Sequence, residues 1–264
     1  MLIIGELING MYPGIAKAIL AKDKAAIQKV AKDQLFCGAG ALDINCGPDS
    51  KNPLVDMRWL VETVQEVTNK PLCLDASNPK VIGEGLKAAK NKTIINSTTA
   101  DNEKLDIFVP LAKKYESKLI GIAINEKGIP QNTDQRVQLA ADIINYCQEY
   151  GFSIDDLYLD PIVLPINVAQ EQLWGILKSI REFKILSDPS PKTVIGLSNI
   201  SQGTSLSKRN LINRTFLIMA VACGLDSVIL NPKDNELVDA LITTELILNK
   251  NIYCDSYLEA FRKK

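Results

Sequence analysis

Eight side chains rich in hydrogen-bond acceptors stand at comparable places along this chain, each at or near the downstream end of a short apolar run: Glu6, Asn45, Asp75, Asn96, Asn125, Asp160, Asn199 and Asn231. Ionised carboxylates only accept hydrogen bonds, whereas carboxamides accept and donate. No lysine stands among these run ends, and no histidine stands anywhere in the 264 residues. A chain without imidazole cannot build a Ser-His-Asp or Cys-His nucleophile pair, a histidine-bound zinc, or a histidine ligand to haem or cobalamin. Lys70, Lys92, Lys118 and Lys192 come just before apolar runs, at the opposite end from the acceptors, which disfavours a Schiff-base aldolase. A sugar phosphate would also lack its anchor, because no glycine-rich cradle follows the later runs. Taken singly, each Asp or Asn is what a turn or a helix cap carries. Brought together, they form a pocket of acceptors whose buried carboxylates need N–H donors from a ligand or a metal. A 2-amino-4-oxopyrimidine ring, the head of a pterin, offers several such donors along one edge.

The runs themselves set where these side chains stand. Residues 2–6, 41–45, 72–75, 93–96, 119–125, 157–160, 193–199 and 226–231 are short, apolar and bounded by turn signals, the pattern of buried strands. The intervening segments carry helical spacing, with Ile27, Val30, Ala31, Gln34 and Leu35 on one face and Val137, Ala140, Ala141, Ile144 and Cys147 on another. Gly38, Gly151 and Gly224 follow helical segments, where a residue tolerant of positive φ ends a helix cheaply. Asn52-Pro53 and Asn78-Pro79 read as a cap followed by proline in the first turn. Eight strand-then-helix units predict an α/β fold, a (β/α)8 TIM barrel, whose usual length is about 250 residues. In that fold all strands open their downstream ends on one mouth, which would gather the acceptors.

Composition is that of one globular domain over residues 1–264, with 46% hydrophobic and 23% charged residues. Lys and Arg number 30 against 31 Asp and Glu, which leaves no broad field for nucleic acid or an anionic membrane. The chain opens directly in an apolar run without a basic leader, and no uncharged stretch approaches the roughly 18 residues of a membrane span, so a cytoplasmic protein is expected. Cys37, Cys46, Cys73, Cys147, Cys223 and Cys254 include no Cys-x-x-Cys pair and are expected to be buried, reduced thiols. Tyr12, Trp59 and Trp174 lie on or near amphipathic segments and are expected to pack.

Seven segments together resemble the pterin-binding methyltransferases, and among them the methyltetrahydrofolate:corrinoid/iron-sulfur protein methyltransferases. They are Ile3-Ile-Gly-Glu-Leu-Ile-Asn-Gly10, Leu74-Asp75, Ile95-Asn96-Ser97-Thr98, Asp160-Pro161-Ile-Val-Leu-Pro165, Gly196-Leu-Ser-Asn-Ile-Ser-Gln202, Leu211-Ile-Asn-Arg-Thr-Phe216 and Tyr253-Cys-Asp-Ser256. The resemblance implies a pterin-binding barrel that moves the N5 methyl group of 5-methyltetrahydrofolate to the Co(I) of a corrinoid. The corrinoid would be carried by a partner corrinoid/iron-sulfur protein of the reductive acetyl-CoA pathway, not held permanently by this chain. By the same resemblance Asp75, Asn96 and Asp160 hold the pterin with Gly196 and Ser198 beside it, and Asn199 approaches N5 and shares the catalytic role with Asp160. Glu6, Asn9, Asp43, Gln202 and Arg209 would support the ring or face the corrinoid. A homodimer without a metal of its own is also implied. An amine leaving a methyl group needs a donor at its nitrogen, and a carboxamide N–H meets that need. With no histidine, the proton would arrive through water ordered by the carboxylates.

This chain has Leu7 after Glu6 where relatives commonly read Glu-Arg, and a long loop is expected over residues 203–208. Two rival enzymes are weighed. Dihydropteroate synthase commonly carries Ser-x-Lys after the seventh strand and Arg-x-His near its end; here Ser198-Asn-Ile fills the first place and the second is impossible. A hydrolase or lyase would need a divalent metal shared by Glu6, Asp75 and Asp160.

Overall fold

Eight parallel strands close into a barrel in chain order: β1 (Leu2–Asn9), β2 (Ala41–Asn45), β3 (Leu72–Asp75), β4 (Thr93–Thr99), β5 (Lys118–Ile122), β6 (Leu157–Asp160), β7 (Lys192–Gly196) and β8 (Ser227–Leu230), with β8 pairing back on β1. The computed structural model describes residues 1–253, so Cys254 and the end of the Tyr253–Ser256 segment lie outside the described residues. Around the barrel run α1 (Pro13–Leu20), α2 (Lys24–Phe36), α3 (Pro53–Gln65), α4 (Pro79–Ala88), α5 (Asn102–Lys114), α6 (Thr133–Glu149), the short α7 (Ile166–Ala169), α8 (Leu173–Phe183), α9 (Leu206–Ala222) and α10 (Asn235–Ile247). This is the expected (β/α)8 barrel.

Inside the barrel, Ile4, Ala41, Cys73, Ile94, Ile120, Tyr158 and Val194 pack as one buried cluster, with Ile122 and Ile229 against it. Side chains two apart on a strand share a face. Glu6, Asp43, Asp75, Asn96, Asp160 and Gly196 each stand two residues downstream of a member of that cluster, so strand alternation turns them into the carboxyl mouth. The opposite strand faces pack against the helices, for example Leu42, Leu74, Leu119 and Leu159 with Met57, Phe108 and Ile143.

The strand ends differ from expectation in informative places. β1 continues to Asn9 and β4 to Thr99, each across a register shift, between Gly5 and Ile8 and between Asn96 and Thr98. Such bulges re-aim side chains at barrel rims. The shift in β1 frees the Leu7 N–H, which donates 2.9 Å to Oε1 of the fully buried Gln34 on α2. A Cβ on Gly5 would stand 2.4 Å from that same oxygen, so the bulge and its buried partner require glycine there. β5 stops at Ile122, and β7 stops at Gly196 and passes into a 3-10 turn, Leu197–Ser201. The expected long loop after it is short, because α9 begins at Leu206.

Helix signals are largely as read. Asn52 and Asn78 cap α3 and α4 through their side chains, and Gly38, Gly151 and Gly224 have φ of 98°, 70° and 99°. The buried stripe of α6 is Arg136, Leu139, Ala140, Ile143, Ile144 and Cys147, slightly rotated from the expected face, with a charged residue where an apolar one was predicted. Cys46, Cys73 and Cys147 are buried free thiols, and Cys37 and Cys223 are half-buried and free. Trp59 packs against the core, but Trp174 is 58% exposed, contrary to the packing expected of it.

The loops after β1 and β2 meet backbone to backbone. A Cβ at Gly10 would fall 2.2 Å from the Cys46 carbonyl oxygen, and Gly47, at φ 76°, faces Gly10 just as closely. Gly10→Ala is therefore expected to cost about 2–3 kcal/mol, read as a lowered urea midpoint at unchanged slope.

Candidate active site

The mouth is built from three adjoining groups. On the side of β2 to β4, Asp43 is 3% exposed and lies deeper than the half-buried Asp75. The Asn45 carboxamide is oriented by its own turn: Oδ1 accepts from the Gly47 N–H at 2.7 Å, which leaves Nδ2 to donate to Asp75 Oδ2 at 2.7 Å. Asn96 donates through Nδ2 to Asp43 Oδ1 at 3.1 Å, and among the described residues its carbonyl oxygen meets no donor. Burial first, and then the charge of Asp75, holds Asp43 well above the ordinary carboxylate range. Burial also raises Asp75, against the opposing hydrogen bond from Asn45. Both shifts run upward because two neighbouring buried carboxylates resist being charged together.

Asp160 ends β6. Its Oδ1 accepts from the Ile162 N–H at 2.8 Å, and burial pushes it up to about 7 in spite of that bond. A carboxylate has about four acceptor sites. Among the described residues Asp75 and Asp160 each receive one hydrogen-bond donor, so both keep acceptor capacity that a ligand with N–H groups can fill.

The third group joins β1 to the turn after β7. Ser198 Oγ donates to both oxygens of Glu6, at 2.8 and 3.0 Å, and burial raises Glu6 against that bond. Tyr12 stands close enough for the Glu6 charge to add to burial in raising its phenol. Asn199 is exposed and its carboxamide has no hydrogen-bond partner among the described residues; Nδ2 lies 3.3 Å from where a Gly196 Cβ would be. Gln202 is exposed just beyond. Arg209, half-buried in the first turn of α9, donates through Nε to the Thr204 carbonyl at 3.3 Å.

Three further Asn residues form the same turn that Asn45 makes with Gly47. Asn9, Asn125 and Asn231 accept through Oδ1 from the backbone N–H two residues on, of Met11, Lys127 and Lys233. Asn125 and Asn231 also lie beyond the ends of their strands, Ile122 and Leu230, which takes them out of the acceptor ring. A second correction concerns donors: the buried carboxylates are met in part by protein groups, Asn45, Asn96, Ser198 and the Ile162 N–H, rather than by ligand or metal alone. Among the described residues no group of three or more Cys, Asp or Glu stands together as a metal ion requires, so Glu6, Asp75 and Asp160 do not converge as the metal-dependent rival needs. No helix of the described residues is long and apolar enough to cross a membrane.

A model described as pterin binding enzyme matches residues 15–231. The methylcorrinoid:tetrahydrofolate methyltransferase of Eubacterium limosum is 28% identical, across 100% of this chain and 97% of its own. The methionine synthase of Mycobacterium tuberculosis is 27% identical across 88% of this chain, which spans 20% of that longer protein. Among solved structures, Yersinia pestis DHPS with a pterine-sulfa conjugate superposes with a TM-score of 0.69 at 16% identity, covering 95% of this chain and 94% of that one. The Coxiella burnetii dihydropteroate synthase in complex with pteroic acid gives 0.68 at 16% identity, covering 93% and 94%. At such identities these two likenesses speak for the fold.

Proposed function

This chain belongs to the pterin-binding enzyme family, and from that premise we propose that it transfers a methyl group between N5 of tetrahydrofolate and the cobalt of a corrinoid held by a separate protein. One observation carries the reading: a set of part-filled acceptors, Asp75, Asn96 and Asp160, shares its mouth with the exposed, unpartnered carboxamide of Asn199. The acceptors suit the N–H edge of a pterin, and Asn199 supplies a donor that no group among the described residues has claimed. The full-length similarity to the Eubacterium limosum protein supports the same reaction, although its name gives the transfer from methylcorrinoid to tetrahydrofolate. One site serves both directions, and the state of the partner's corrinoid sets which runs.

In the direction expected from the sequence, the N5–CH3 bond breaks as the carbon bonds to Co(I), and N5 departs with the bonding pair and then takes up a proton. Asp75, Asn96 and Asp160 hold the ring, and Gly196 and Ser198 border it. Asn199 donates to N5 as its negative character grows. Glu6, held by Ser198, and Asp43, held by Asn96, keep their neighbours in place; Asn9, Gln202 and Arg209 lie toward the rim where the corrinoid arrives. A corrinoid/iron-sulfur protein of the reductive acetyl-CoA pathway is the partner this reading names. The enzyme acts as a single barrel domain in the cytoplasm, paired with a second copy. Exposed Trp174, Leu211 and Met219, which line an apolar groove between α8 and α9, offer a face for that pairing.

The test is methyl transfer from 5-methyltetrahydrofolate to chemically reduced cob(I)alamin, followed by the spectral change to methylcobalamin. Conversion is the expected result. Folate binding without conversion would point to an obligatory protein acceptor, and failure to bind folate would refute the reading.

A further inference from the structure

Arg136 on α6 is fully buried, and among the described residues its guanidinium meets no carboxylate. Its Nε donates to the Pro161 carbonyl at 3.0 Å, Nη1 to the Asn132 carbonyl at 3.2 Å, and Nη2 to Gln172 Oε1 at 3.0 Å. A buried cation matched only by neutral acceptors is costly to keep. The object it holds is the peptide unit joining Pro161 to Ile162. In a trans peptide the C=O and N–H point in opposite directions. Arg136 takes the carbonyl end, and the N–H end donates to Asp160 Oδ1 at 2.8 Å. Ile162 sits at φ 59°, a left-handed conformation that a β-branched residue avoids. Turning this peptide over would return Ile162 to negative φ, but would aim a carbonyl, not an N–H, at Asp160.

We propose that Arg136 is a positioning residue for the mouth: it locks the Pro161–Ile162 peptide so that the Ile162 N–H faces Asp160 and fixes the direction of that carboxylate. The effect on folate rests on the reading given above; the lock itself does not. Three acceptors from three places, the cap of α6, the turn after β6 and the 3-10 turn before α8, match the planar fork of arginine and could not all be met by one lysine ammonium. The surrounding contacts thereby over-determine a backbone conformation that would otherwise relax.

The experiment follows the Ile162 amide by NMR in 15N-isoleucine-labelled protein across the neutral pH range, in wild type, Arg136→Met and Gln172→Ala. In wild type the amide resonance moves as Asp160 ionises. In Arg136→Met that movement is lost, and 5-methyltetrahydrofolate affinity falls about 10–100-fold, as for a lost hydrogen bond to a charged group. Asp160→Asn then costs less affinity in the Arg136→Met background than alone, because the two act through one unit. Gln172→Ala removes one of the three acceptors without opening the core and gives the same change in smaller measure, which keeps the test decisive if Arg136→Met does not fold. An Ile162 amide that still follows Asp160 in the variants, with additive losses of affinity, overturns the proposal. Wild type that shows the amide signature but binds no folate removes the folate reading and leaves the lock standing.

Discussion

Asn199→Ala is expected to lower the rate of methyl transfer by about 10²–10³, the usual loss when one preorganised donor to a developing negative charge is removed. Folate affinity should hardly change, so the loss falls on kcat rather than KM, the sign of an interaction made only in the transition state. The structure makes this a clean substitution. The carboxamide is exposed on the turn after β7 and bonds to no side chain among the described residues, so its removal leaves none of their buried groups unsatisfied. An unchanged thermal midpoint beside the fallen rate would separate the chemical role from a structural one, and an unchanged rate would dismiss Asn199 from the reaction.

Asp160→Asn should stabilise the free protein and weaken folate binding at once. Burial pushes Asp160 from its ordinary 3.8 up to about 7. Below the unfolded value both states carry the proton and the group costs nothing. As pH rises from the unfolded value towards about 7, the unfolded chain ionises while the native carboxyl keeps its proton, and stability is lost; the loss is complete above neutrality. The side chain is only partly screened from solvent, so about 1–2 kcal/mol of relief at about pH 8, fading to nothing at about pH 4, is the expected gain from the amide. The loss in folate affinity should be near 100-fold, roughly 3 kcal/mol, since one charged acceptor facing a ligand N–H is replaced by a group that also donates. Wild-type affinity should itself decline as pH falls through neutrality, and the variant's should not. Opposite signs for stability and binding are what a site residue gives and a damaged fold does not. Equal melting of both proteins at high pH would show that Asp160 is not held protonated by its surroundings.

The barrel was legible because parallel strands buried on both faces are written as unbroken apolar runs, and this chain marks the end of most with a polar residue. Asp75, Asn96 and Asp160 followed from the same pattern, since alternation points the residue after the apolar inward layer into the mouth. Asn125 and Asn231 look identical in sequence, yet both lie beyond the last residues of their strands, Ile122 and Leu230. Whether a strand stops at such a residue or before it depends on neighbouring strands, which no local pattern records. The bulges at Glu6 and Ser97 were hidden for the same reason: register is a property of pairs. Asn45 was visible as a ring member, but its service to Asp75 depends on the Gly47 N–H turning the amide. Gln34 and Arg136 were masked by their company. Each sits in a helix face otherwise apolar, and only the tertiary partners, a freed N–H in β1 and a carbonyl after β6, distinguish them from misplaced surface residues.

A proton inventory follows from the mouth and from the missing histidine. Side chains that titrate near neutrality are usually imidazoles, and in this chain without histidine burial brings a carboxyl group, Asp160, into that range. Heat measured on folate binding in buffers of different ionisation enthalpy would thus count protons released or taken up at the mouth with no histidine background to subtract. The same silence makes infrared carboxyl bands near neutral pH a direct view of the site, so the absence of one residue type turns an ordinary titration into an assay of this barrel's working end.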